Sequence, residues 1–179
     1  TAGFTAALSV LELEERHITP EGGEILVPGA TGGVGCLAVG LLARAGYQVV
    51  ASTGKKDAEP FLLELGAGEV ISREETDDTT SKPLSSARWA GAIDTVGGNI
   101  LATALKSTRA GGVVTCCGLV ASAELSTTVY PFLLRGLRLA ALTSVDRPPP
   151  TRPHPWHSLS GDCKLEQPAH LRSTSAPAP

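Results

Sequence analysis

Four glycines fall within Gly29-Ala30-Thr31-Gly32-Gly33-Val34-Gly35, directly after the apolar run Ile25-Leu26-Val27-Pro28 and directly before Cys36-Leu37-Ala38-Val39-Gly40-Leu41-Leu42-Ala43. Residues of these types in this order can hold an anion without a charged side chain. Gly29 and Gly32 turn the chain through conformations closed to a residue with a Cβ, while Gly33 and Gly35 let the backbone approach a phosphate, or the helix approach the strand. The first N–H groups of the following helix lack intrahelical partners and lie at the positive end of its dipole. Strand, tight turn and helix in that order is how a dinucleotide fold seats a pyrophosphate. The spelling departs from G-x-G-x-x-G, so on this motif alone a purely structural turn stays open.

A second cluster, Ser52-Thr53-Gly54-Lys55-Lys56, ends the β-prone run Tyr47-Gln48-Val49-Val50-Ala51. An acid at such a strand end binds the ribose 2′-hydroxyl of NAD, whereas a base accommodates the 2′-phosphate of NADP. The acid is absent here. The hydroxyls of Ser52 and Thr53 and the charge of Lys55 or Lys56 therefore favour NADPH, with at least one lysine read as an ordinary solvated loop residue. Asp94, near the end of another apolar run, has the character of either a general base or a carboxylate that orients a loop, and the second reading is preferred.

Other reactive residue types carry less. Cys36, Cys116, Cys117 and Cys163 contain no C-x-x-C pair, so neither a zinc site nor a disulfide framework is expected, and the first three read as small buried residues. His154-Pro155-Trp156-His157 has a metal-like spacing, but Pro155 disfavours a regular helix and no acidic or cysteine ligand is adjacent, so no metal is expected. His17 reads as a helix-end residue.

The elements that must position the glycines and Lys55 follow from pattern. Phe4, Leu8 and Leu11 have helical spacing. Glu24–Val27 is a strand, residues 36–45 a helix, residues 47–52 a strand, residues 57–65 a helix stopped by Gly66-Ala67-Gly68, and residues 69–71 a short strand. Residues 73–88 are polar and read as a surface connection with solvated charges and at most a helical turn. Residues 89–96 form a fourth strand running into Gly97-Gly98, residues 99–106 a helix, residues 110–119 a fifth strand, residues 127–136 an apolar loop or short helix, and residues 137–142 a sixth strand. This recurrence predicts an α/β fold, a doubly wound parallel sheet of Rossmann-like type, with Gly32, Thr53, Val96 and Gly118 gathered beyond the carboxyl ends of the strands.

At 179 residues and 42% hydrophobic composition, one large domain is the default. Residues 1–146 are read as that domain, and residues 147–179, with eight of the thirteen prolines, as a disordered or irregular tail. The net charge of −3 and the lack of a basic stripe with interleaved aromatics give no reason to expect a nucleic-acid partner. No run approaches the roughly 20 apolar residues of a membrane span, and no signal-peptide pattern opens the chain, so no membrane partner and a cytoplasmic location are expected. Thr1 opens the chain inside a helical pattern without Met, which suggests a fragment whose upstream part is missing.

Thr1-Ala2-Gly3-Phe4-Thr5-Ala6-Ala7, residues 29–35, residues 89–97, Cys117-Gly118-Leu119 and residues 127–136 together resemble the cofactor domain of the zinc-independent quinone oxidoreductases in the medium-chain dehydrogenase/reductase superfamily, in particular their acryloyl-CoA reductase group. The resemblance implies NADPH bound across the domain, with Thr31, Gly32, Gly33 and Val34 at the pyrophosphate and Ser52, Thr53 and Lys55 at the adenosine phosphate. It implies Thr95, Val96, Gly118 and Leu119 nearer the ribose and nicotinamide, with Thr5 beside the nicotinamide. The implied reaction is hydride transfer to the β-carbon of an activated alkene, an enoyl-CoA such as acryloyl-CoA, or to a quinone. No catalytic residue is assigned, because that family places a GroES-like catalytic β domain ahead of the position of Thr1 and completes it with a C-terminal segment that the proline-rich tail replaces here. A homodimer is compatible with this reading.

Two other readings compete with this one. The short-chain dehydrogenase pattern also fits Gly29, Gly33 and Gly35, but that class needs a Tyr with a Lys four residues on, and Tyr47 and Tyr130 are followed at that distance by Ala51 and Leu134. A non-catalytic nucleotide-binding or interaction fragment is the alternative from a different class, since a fold does not establish a function.

Overall fold

A computed structural model describes residues 1–144. The tail expected over residues 147–179, with His154, His157 and Cys163, lies outside the described residues.

The chain runs α1 (Ala2–Glu15), β1 (Ile25–Pro28), α2 (Gly33–Arg44), β2 (Val49–Thr53), α3 (Glu59–Glu64), β3 (Glu69–Ser72), β4 (Trp89–Asp94), α4 (Gly98–Ser107), β5 (Thr108–Cys116), α5 (Tyr130–Arg135) and β6 (Arg138–Ala141), with short 3-10 turns at Pro20–Gly22 and Glu74–Thr76. The six strands form one sheet in the order β3-β2-β1-β4-β5-β6, and every neighbouring pair is parallel. This is the doubly wound order in which the chain starts at the centre and builds outward in both directions, reversing between β1 and β4. The expected fold class is present, with helices on both faces.

Burial explains why these stretches became strands. Every residue of β1, β2 and β4 is buried, as a parallel sheet covered on both faces requires. On one face Val27, Val49, Ala51 and Ile93 pack with Ala38, Val39 and Leu42 of α2 and with Ala6 and Val10 of α1. On the other face Leu26, Val50, Ile71, Trp89 and Val114 pack with Leu101, Ala104 and Leu105 of α4. Helix α1 is buried on most of its circumference, from Phe4 through Leu11 and again at Leu13, because it is wedged against α2 and the sheet. It ends at Glu15, and His17, read as a helix-end residue, lies just beyond the Arg16 cap with a left-handed φ of 59° and its N–H donating to Glu14 O at 2.9 Å.

The segment 73–88 differs from expectation. Several of its charges, Asp78 and Arg88 among them, are engaged rather than simply solvated. Arg88 donates to Glu24 at 2.9 Å and to Glu69, and lies 4.2 Å above the Trp89 ring, so one guanidinium joins β1, β3 and β4 at their amino ends. Asp78 accepts from Thr80 N and Ser85 Oγ and lies 3.7 Å from Lys106 Nζ, which holds its carboxyl down at about 2. The segment is thereby strapped across α4.

Candidate functional site

The glycine turn leaves the carboxyl end of β1, and each glycine has a separate reason to lack a side chain. Gly29 has φ +67°, and a Cβ there would stand 2.5 Å from Thr95 Oγ1 and 2.8 Å from Val96 Cγ2. Its carbonyl accepts the Gly32 N–H at 2.9 Å, closing the turn, and Gly32 then caps α2. A Cβ on Gly35 would collide with the carbonyl of Gly29, so this residue lets the helix start lie against the turn. Gly33, by contrast, has nothing within 4 Å of its missing Cβ. The space before it is open, at the N–H end of a twelve-residue helix.

A cleft of about 520 Å³, within the range of small-molecule sites, opens at the carboxyl ends of the strands. Of the residues expected at a site, Thr31, Gly32, Lys55, Thr95 and Val96 line it. Two more stand just behind the wall or beside it. The Thr53 hydroxyl lies 3.3 Å from Thr31 Oγ1 and accepts the Lys55 N–H at 3.1 Å, tying the end of β2 to the glycine turn. Gly118 packs so closely on Thr95 that a Cβ would overlap the Thr95 carbonyl. Gly33 and Val34 form the first turn of α2.

The structure does not bring the remaining three to the cleft wall. Ser52 is buried, and its hydroxyl is spent on Ser72 O at 3.3 Å and Thr76 Oγ1 at 3.0 Å, which fastens β2 to β3. Thr5 is buried in α1, with its hydroxyl donating to Thr1 O at 3.1 Å. Leu119 is 67% exposed.

One cation in the cleft escaped the sequence reading. Arg73 lines it beside Lys55, with its guanidinium over Gly54, where a Cβ would stand 3.1 Å from Cζ. Its N–H donates to Thr53 O at 3.0 Å, continuing the β2–β3 ladder, so its side chain emerges at the same strand end as Lys55. The signal was available in principle: Arg73 follows β3 directly, and β3 neighbours β2. Asp77 and Asn99 also line the cleft and are paired, Asn99 Nδ2 donating to Asp77 Oδ1 at 2.6 Å.

Behind the cleft, Asp94 is fully buried at the end of β4, and desolvation lifts its carboxyl to about 6 against the opposing N–H groups of Gly97 and Val96. Burial, and next the Asp94 charge, raise the Cys116 thiol and push that of Cys117 up to about 11, so neither is an activated nucleophile. Both are half-buried, and Cys36 is fully buried as expected. Among the described residues no group of three or more His, Cys, Asp or Glu is placed to hold a metal ion, and no helix is long and apolar enough to cross a membrane.

Sheet order, glycine turn and cleft position define a class, and comparison with known proteins identifies it. The family model for zinc-binding dehydrogenases matches residues 33–153, and the chain belongs to that family. Within it the chain is similar to acrylyl-CoA reductase AcuI of Ruegeria pomeroyi, 42% identical over 93% of this chain and 51% of that protein. Among solved structures it is similar to YhfP of Bacillus subtilis with NAD bound, 51% identical with a TM-score of 0.89, covering 91% of this chain and 50% of that one. It is also similar to YhdH of Escherichia coli K-12 with bound NADPH, 48% identical with a TM-score of 0.85, covering 88% and 48%. The chain therefore spans about half the length of the relatives it matches.

Proposed function

We propose that residues 1–146 are a dinucleotide-binding domain that seats NADPH in the cleft, and that the domain serves a reductase delivering hydride to an enoyl-CoA or a quinone. The observation that carries this reading is the conjunction of an open glycine turn at the N-terminus of α2 with Lys55 and Arg73 on the neighbouring wall of one cleft. The residues fit the group: Gly33 and Val34 offer backbone N–H groups to the pyrophosphate beside the Thr31 hydroxyl, while Gly32, its own N–H held by Gly29 O, shapes the turn. Lys55 and Arg73 supply charge for the 2′-phosphate, and no acid stands at the end of β2 to prefer a bare ribose. Thr95 and Val96 continue the wall toward the nicotinamide half, with Gly118, Leu119 and Thr5 beyond them by family resemblance. Ser52 contributes indirectly, by holding the strand end that carries Thr53.

When bound, the dinucleotide supplies the hydride, and the domain's share is to bind and orient it. The relatives named above, one an acrylyl-CoA reductase and two solved with NADPH or NAD, support both halves of the proposal. Unpaired thiols at Cys36, Cys116 and Cys117 suit the reducing cytoplasm.

Binding followed by NADPH fluorescence tests the site. Lys55→Ala and Arg73→Ala are each expected to weaken NADPH about tenfold while leaving NADH nearly unchanged, the loss of one charge-assisted contact. Equal losses for both nucleotides would remove the 2′-phosphate assignment. A second reading is nucleotide binding without turnover, since a dinucleotide fold does not by itself establish catalysis. Oxidation of NADPH by this chain with acryloyl-CoA or a quinone present decides between them.

A further inference from the structure

The mechanism of binding makes no use of the most deeply buried charge near the cleft. Asp94 has 0% exposure; its Oδ2 accepts the Gly97 N–H at 2.8 Å, while Oδ1 is enclosed without a hydrogen-bond partner. A buried carboxylate with an unsatisfied oxygen is costly and calls for a reason.

The segment after it supplies one. Gly97 and Gly98 are consecutive left-handed residues, φ +75° and +60°, and a Cβ on Gly97 would stand 2.5 Å from Ser122 O and 3.1 Å from Leu119 Cα. Two backbone bonds hold the segment from the β5 side, Cys117 N–H to Asp94 O at 3.0 Å and Ala121 N–H to Val96 O at 2.9 Å. The Thr95 hydroxyl holds it from the β1 side, donating to Pro28 O at 2.9 Å. Between those anchors the Gly97 N–H is turned inward, and Gly97, the residue before α4, has no side chain to meet it. Asp94 meets it.

We propose that Asp94 is a positioning residue of the cleft: by accepting the Gly97 N–H it holds residues 95–98 in the shape that keeps Thr95 and Val96 against the glycine turn and turns Gly98, Asn99 and Ile100 toward the cleft. The ligand in this inference rests on the nucleotide reading; the geometry does not. A negative charge just before the ten-residue α4 also complements its dipole. The titratable groups facing Asp94 are Cys116 and Cys117, both neutral thiols at physiological pH, and what opposes its desolvation is the pair of N–H groups rather than a cation.

The Gly97 amide is a direct reporter in the free, full chain. Its proton resonance is expected to titrate with a midpoint near 6, the value to which burial lifts the carboxyl, and to lose that inflection in Asp94→Asn. Asp94→Asn keeps an oxygen acceptor and is expected to bind NADPH within about threefold of the parent, whereas Asp94→Ala removes it and is expected to weaken binding about tenfold and to speed exchange of the Gly97 amide. An untitrated Gly97 amide, or Asp94→Ala binding as tightly as the parent, overturns the inference. Should the parent chain bind no dinucleotide while Gly97 titrates and its exchange quickens in Asp94→Ala, the nucleotide reading fails and the positioning role stands.

Discussion

Gly33 and Gly35 sit two residues apart in α2 and do opposite work, which substitution should expose. A methyl at Gly35 meets the Gly29 carbonyl, so Gly35→Ala forces the helix off the turn and is expected to cost about 1–3 kcal/mol in urea unfolding. A methyl at Gly33 meets open space, so Gly33→Ala is expected to leave stability unchanged or raise it by about 0.5–1 kcal/mol through helix propensity. The same methyl fills the space where phosphate would lie, so NADPH binding should weaken in Gly33→Ala despite intact folding. Asp94 gives the pH counterpart. Its folded carboxyl titrates near 6, while in the unfolded chain it titrates near about 4, so between those values the native state holds the more protons and stability falls as pH rises. Above 6 the full cost of the buried charge is present. Asp94→Asn has no such charge, so its stability relative to the parent should improve by about 1–3 kcal/mol between pH 4 and pH 7. A difference constant across that range would show that burial does not shift this carboxyl.

At the scale of elements, what could be read in advance was whatever has a local cause. The order of strands and helices, the helix end near His17 and the glycine turn follow from spacing and from residues with special backbone freedom. Two boundaries moved: α2 starts at Gly33 rather than Cys36, with Gly32 as its N-cap, and β5 stops at Cys116, where tertiary contact presses Gly118 onto Thr95. Arg73 and the strap over α4 were hidden for the same reason, since their partners are distant in sequence and set by which strands neighbour each other. Arg135 illustrates it. From α5 it donates to the carbonyls of Lys106, Thr108 and Ser85 at 2.7, 2.8 and 2.6 Å, closing the end of α4 and holding the strap in one grip. Arg135→Ala leaves those carbonyls without that donor and is expected to lower stability by about 1–3 kcal/mol, with little dependence on salt because no carboxylate is involved. Thermal unfolding at low and high ionic strength measures both.

Across the whole molecule, the sheet gathers at one edge residues that lie far apart in the chain, and this explains both what was legible and what was not. Gly32, Thr53, Val96 and Gly118 could be grouped beforehand because the topology rule puts the carboxyl ends of parallel strands together, and Gly32 and Val96 do line the cleft. Ser52 and Thr5 could not be told from cleft residues, because which way a hydroxyl points depends on Ser72, Thr76 and Thr1, whose positions no spacing reveals.

The central place of β1 has a consequence for how the chain is made. Its first neighbour, β2, is complete by Thr53 and the next, β3, by Ser72, so half of the sheet can assemble while the remainder is still on the ribosome. The other edge of β1 waits for Gly91 and Ala92, leaving Ile25 and Leu26 uncovered on that side through some twenty further rounds of peptide-bond synthesis after Ser72, about one to four seconds of translation. A strand edge left unpaired for that interval is open to pairing with another chain, a hazard that the arrival of β4 removes.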